Sequence, residues 1–288
     1  MNKSYAGWIY GLMGVLIFSG SLPATRLAIV DFSPEFSTFA RASIAGIISF
    51  ICLVITHQKI PNLQQFKSIA IVSCGVVVGF PLFSAFALQS ISTARAIVFT
   101  AMLPLSTAIF AVLRAKELPQ PKFWLFAILG SLFVAGFMLL DQQYSSLQLG
   151  DFYMLIAIIV CGLAYAEGGK LSRELKGWQV ICWALITALP FMLVLSFYYL
   201  PHKSYSSISI LSMIGLLYIS LFSMFIGFFF WYKGLALGGI AQIGQIQLIQ
   251  PFLGLILSAW LLHEKIELSM LIVCILVIIC IMMAKKYA

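Results

Sequence analysis

The chain has 288 residues, a mass of 31.8 kDa and a formal net charge of +8; 62% of it is hydrophobic, 9% is charged, and the mean hydropathy is +1.06. Soluble domains carry about 45–50% apolar and about 25% charged residues, so this chain has too little charge to cover a water-facing surface. That excludes a soluble globular protein, a disordered chain and a secreted disulfide scaffold, and it leaves a polytopic membrane protein whose outer surface meets lipid.

A basic excess in a soluble protein would raise the question of nucleic acid. Here the cations form only small clusters, Arg114/Lys116/Lys122 and Lys170/Arg173/Lys176, which fit membrane orientation instead. The six cysteines (Cys52, Cys74, Cys161, Cys182, Cys274, Cys280) all lie in apolar runs and none forms CxxC. They read as small buried apolar residues, not as disulfides or metal ligands.

A helix needs about 20 mostly apolar residues to cross the hydrocarbon layer. In chain order, the runs that qualify are 6–24, 35–56, 67–88, 94–113, 122–140, 151–169, 178–199, 208–232, 241–262 and 267–284. Long continuous runs exclude a β-barrel, whose strands alternate. The first run ends in Leu22-Pro23-Ala24-Thr25-Arg26, without a clear cleavage site, and is read as a retained helix. Ser33-Pro34-Glu35 is a helix start: a cap, a proline for the first turn and an acid at the positive dipole end. His57–Lys67 and Pro119/Pro121 break the chain again, and 141–151 is polar without Lys or Arg. Trp8, Trp124, Trp178, Tyr198 and Tyr199 fall near span ends, where aromatic belts form.

With the N-terminus placed in the cytoplasm, twelve Lys and Arg fall on the inner side. Five fall on the outer side (Arg26, Arg95, Lys203, Lys265 and, near that face, Arg41). This division predicts both termini inside.

Two segments align without gaps: Ala94-Arg95-…-Pro104-…-Ile109-…-Glu117 and Ala241-Gln242-…-Pro251-…-Ile256-…-Glu264. Each starts a span, carries a mid-span proline and ends on a Glu. They are the fourth and ninth spans, so the repeat unit is five helices, and an odd unit enters the membrane from opposite sides. The expected fold is all-α, with ten transmembrane helices as two inverted five-helix repeats, 1–145 and 146–288. In that plan a binding site sits near the midplane between repeats.

These features resemble the drug/metabolite transporter superfamily, in its ten-helix EamA-type branch. Phe18-Ser19-Gly20-Ser21-Leu22 stands where the family often shows a Trp-Gly-Ser-x-Phe pattern, without the Trp. Pro34-Glu35-…-Phe39-Ala40-Arg41-…-Ala45 is similar to its proline-acid and Arg in an Ala-rich helix. Ala94 through Glu117 and Tyr232 through Glu264 look like its two helices with a central proline and terminal Glu. The resemblance implies two EamA-like repeats, a metabolite or amino-acid carrier, usually an exporter, in a bacterial inner membrane. It leaves the substrate open and is compatible with a homodimer.

Pro104 and Pro251 each free the carbonyl four residues earlier, on Thr100 and Gln247, which are equivalent in the repeat. The reading is a polar site and a joint in each gating helix, against a simple packing kink; Pro81 and Pro190 read as kinks. Gln242, Gln245, Gln247 and Gln250 form an unusual run of amides. On a regular helix three of them share one face, and they either line an aqueous route or bond neighbouring helices. For Arg41 three roles stand open: snorkelling outward, binding a carboxylate, or holding helices together. Arg95 begins the fourth span, aligns with Gln242 and reads as a solvated outer flank. Glu167 either pairs with Lys170 or Arg173, or couples a proton or cation to transport. Tyr165 and Trp231 are cavity residues by the resemblance. Glu117 and Glu264 look structural. Gly7-x-x-x-Gly11, Gly75-x-x-x-Gly79 and Gly234-x-x-x-Gly238 permit close helix approach.

The sequence has no P-loop, so ATP is not expected as a partner, and no cofactor is expected. His263-Glu264-Lys265-Ile266-Glu267 lacks the second His of a zinc motif. The expected function is a secondary transporter of a small polar or amphipathic solute, amino acid-like or drug-like. A channel and an intramembrane enzyme or assembly factor are the alternatives.

Overall fold

The computed structural model describes residues 3–140, 147–201, 208–263 and 268–287. Glu264, Lys265 and Lys203 lie outside them, as do most of the polar 141–151 stretch and all but His263 of the zinc-like segment. Among the described residues every regular element is helical.

The first span is two helices, α1 (Lys3–Ser19) and α2 (Ser21–Ala28), meeting at Gly20, where the Tyr218 hydroxyl leaves no room for a side chain. Helix α3 (Pro34–Ile55) starts as the sequence predicts, with the Ser33 side chain accepting from the Phe36 N–H at 3.1 Å. The third span comprises α4 (Leu63–Val72), a π-helical stretch Ser73–Gly79, and α5 (Phe80–Ser90). It begins earlier than the hydropathy run because Asn62 and Gln65 cap each other reciprocally. The fourth span is α6 (Thr93–Thr100) and α7 (Leu103–Ala115); α8 (Pro121–Leu140), α9 (Leu149–Leu171) and α10 (Gly177–Tyr198) follow. The eighth span is α11 (Ile210–Tyr218), a second π stretch Ile219–Ile226, and α12 (Gly227–Gly238). The ninth is α13 (Ile240–Gly244), a 3₁₀ turn Gln245–Ile249, and α14 (Gln250–Leu262); α15 (Leu268–Lys286) ends the chain.

The sequence predicts ten spans. Eight helices among the described residues are long and apolar enough to cross a membrane by length and composition. In the fifth and tenth places stand shorter apolar stretches, Pro121–Phe133 and Leu271–Ala284. Many large apolar side chains face outward, as lipid contact requires.

The repeat seen in the sequence recurs in local structure at the same spacing. Both π stretches occupy matched places, Ser73–Gly79 and Ile219–Ile226. Lys116 and His263, also matched, end α7 and α14 in the left-handed conformation, with φ of 55° and 53°. The packing interleaves the two halves of the sequence. Helix α1 lies along α12, α3 along α10, α8 along α15, and α9 against both α5 and α7. The first and third glycine stripes meet each other: a side chain at Gly7 would strike Gly238, and one at Gly234 would strike Gly11. Backbones that close are the packing device of membrane helices.

Candidate functional site

Two breaks bring polar groups into the middle of the bundle. Pro104 lies in the first turn of α7, just after the chain leaves α6 at Ala101–Met102. Pro251 lies in the first turn of α14, just after the 3₁₀ turn. Each proline therefore begins a new helix, where its missing N–H costs nothing. The 3₁₀ turn also changes the glutamine run: residues 245–249 advance more per residue than an α-helix, so the amides fan out instead of sharing one face.

At the centre, Phe18, Ser21, Leu22, Arg41, Val76, Phe80, Pro81, Cys161, Tyr165, Ser223, Phe228 and Gln250 enclose a cavity. Its volume is about 20 Å³ for the centres of water-sized molecules, room for water but not for a metabolite. The walls obey the repeat: Val76 and Ser223 are equivalent, one in each π stretch, and so are Pro81 and Phe228. Tyr165 packs its ring 5.4 Å from Trp231 and 6.4 Å from Phe18, and Phe18 lies 5.0 Å from Phe228. In the same wall the Ser21 and Ser223 hydroxyls bond at 2.7 Å, and Arg41 Nη2 donates to Ser223 Oγ at 3.2 Å.

Two residues of the cavity wall carry buried polar atoms without a partner within the protein, Arg41 Nε and Gln250 Oε1, and other such atoms belong to Trp231, Tyr232, Gln245 and Gln247 elsewhere in the bundle. Unsatisfied groups cost about 1–3 kcal/mol each when dry, so the two on the cavity wall call for water or solute to complete their bonding.

The candidate residues divide. Arg41, Tyr165 and Gln250 line the cavity; Gln247 lies next to Tyr165, and Trp231 packs its ring on Tyr165. Gln245 lines a separate crevice beside Pro104 and Ser131, and Gln242 is only half-buried. Thr100 is buried, with its hydroxyl donating to the Ile97 carbonyl at 2.6 Å. Glu167 is buried and accepts from Arg114 Nε at 2.7 Å and Ser68 Oγ at 2.5 Å, with Lys170 Nζ at 3.9 Å. Its main partner is therefore Arg114, and Arg173 pairs with Glu117 instead. Arg95 is no solvated flank: it is buried against Asp151, a residue that the sequence reading placed only at a span boundary.

Comparison with known proteins agrees with this architecture. The model of the EamA-like transporter family matches twice, over residues 5–139 and 148–285. A Bacillus subtilis (strain 168) protein named "Uncharacterized transporter YdeK" is 55% identical over 288 residues, all of both chains. A crystal structure of a protein only 16% identical matches over 100% of both chains with a TM-score of 0.75, which shows the fold alone. The chain belongs to the EamA-like transporter family of the drug/metabolite transporter superfamily, a multi-pass membrane protein.

Proposed function

We propose that the chain is a secondary carrier that moves a small polar or amphipathic solute across the bacterial inner (plasma) membrane by alternating access, as an exporter. In this reading 1–145 and 146–288 are inverted repeats, both termini are cytoplasmic, and the solute binds in the central cavity. The observation that carries it is a cavity walled by repeat-equivalent residues on which Arg41 Nε and Gln250 Oε1 are buried without protein partners. The cavity is closed down to water size, as expected of a state between openings. Broken helices beside it supply joints.

Reconstitution in proteoliposomes tests the reading. Saturable flux with counterflow, without ATP, is the expected result; unsaturable flux would mean a channel, and turnover of a covalent bond an enzyme. Reporter fusions after Lys59, Leu200 and Lys286 are expected to read inside, outside and inside. An external Lys286 would break the inverted arrangement.

A further inference from the structure

Arg41 stands apart from the other buried charges. Among the described residues four charged side chains are buried: Arg41, Arg95, Asp151 and Glu167. Arg95 and Asp151 hold each other, and Glu167 is held by Arg114. Arg41, 5% exposed in the second turn of α3, has no carboxylate within ion-pair reach among the described residues. Its guanidinium bonds to the Ser223 hydroxyl, and its Nε has no partner. A guanidinium carries five donors, so one hydroxyl leaves most of its capacity unused. Its burial also removes the snorkelling option that the sequence left open.

A cation held in a membrane interior without a counter-charge is costly, and such residues as a rule are paired or face a solute path. Arg41 faces the cavity, whose lining includes no acidic side chain. Beside the guanidinium stand two hydroxyls, Ser21 and Ser223, and the same wall carries the rings of Phe18, Phe228 and Tyr165. The wall thus offers a positive, donor-rich group together with aromatic surface.

We propose that this cavity takes an anionic solute, its carboxylate held on Arg41 and the Ser21/Ser223 hydroxyls and its apolar body against the aromatic wall, and that it disfavours cations. The proposal rests on the reading of the cavity as the solute site. It narrows that reading, since it sets aside the cationic class of drug-like solutes.

The local charge is measurable before the solute is known. The full chain, with its six native cysteines replaced and carrying Gln250→Cys on the cavity wall, is placed in nanodiscs. It is then labelled with anionic sulfonatoethyl methanethiosulfonate and with its cationic trimethylammonium counterpart. The anionic-to-cationic rate ratio is expected to exceed that of a free thiol by about tenfold or more, because attraction to a fixed charge strengthens in a poorly hydrated site. Arg41→Gln is expected to return the ratio to the free-thiol value, and Arg41→Lys to keep the preference. A parent ratio equal to that of a free thiol, or a preference that survives Arg41→Gln, would overturn the anionic assignment and leave the cavity as a solute site. If Arg41→Gln does not fold, the parent ratio decides. A thiol inert to both reagents would remove the solute-site reading and this proposal with it.

Discussion

Arg95 and Asp151 form a two-pronged ion pair, Nε to Oδ1 at 2.8 Å and Nη2 to Oδ2 at 2.6 Å, with both side chains buried. The Arg lies in the first turn of α6 and the Asp in the first turn of α9, so the pair ties the starts of two spans drawn from different halves of the sequence. Asp151 also accepts from the Gln148 N–H at 2.8 Å. Removing one partner of a buried pair costs about 3–5 kcal/mol, while replacing both by apolar groups is far milder. Asp151→Asn is therefore expected to lower the melting temperature of the purified protein markedly, and the double change Arg95→Met with Asp151→Leu to recover most of the loss. A melting curve for Asp151→Asn like that of the parent would mean that the pair is solvated and worth little.

Glu117 works as a cap supplied from elsewhere in the chain. Gly239, ahead of α13, has no side chain to cap that helix, and the two Glu117 oxygens accept from Ile240 N at 3.0 Å and Ala241 N at 2.8 Å. Arg173 holds the same carboxylate. Glu117→Ala is expected to cost about 1–2 kcal/mol, the usual range for a lost cap, and to speed amide exchange at Ile240 and Ala241. Unchanged exchange at those two amides would show that water caps the helix equally well.

The prolines make a functional prediction. Since Pro104 and Pro251 each open a new helix, replacing either by alanine is expected to change stability by less than about 1 kcal/mol. It restores a backbone donor and favours a continuous helix. Each change is expected to lower maximal transport more than apparent affinity, by comparable factors. Wild-type rates in both variants at matched expression would take the fourth and ninth spans out of the mechanism.

Close backbone contact sets the remaining prediction. A Cβ at position 234 would lie 2.7 Å from Gly11 N. Gly234→Ala is therefore expected to force α1 and α12 apart and to cost about 1–3 kcal/mol. Gly136 is the control, because a Cβ there would meet nothing within 4 Å; alanine at that position is expected to be neutral or slightly stabilising. Equal stability of the two variants would mean that the stripes do not set the helix spacing.

Much of the fold is legible in one sequence because a membrane requires long apolar runs, and because a repeated unit repeats its irregularities. The matched prolines mark the breaks after Thr100 and within 245–249. The Ser33 cap is readable for the same local reason. Other features are hidden. The π stretches have no residue signature, so the Val76/Ser223 wall is invisible without coordinates. Ion pairing across 56 and 53 positions gives no local signal, so Arg95 looks like a flank and Arg114 escapes notice as the partner of Glu167. The amide stripe fails for a geometric reason: it assumes a constant helical pitch through a segment that tightens.

The interleaved packing bears on how such a molecule moves. Arg95–Asp151 fastens α6 to α9 at one end, and Arg114–Glu167 fastens α7 to α9 at the other, while α5 lies along the same helix. Across the molecule α1 is locked to α12 by the glycine stripes and also touches α14. Each cluster thus borrows one helix from the other half of the chain, like two hands with interlaced fingers. If the clusters travel as units, the line of motion does not follow the seam at 145/146. A split protein cut at that point would therefore have to be woven back together from its fragments, not docked face to face.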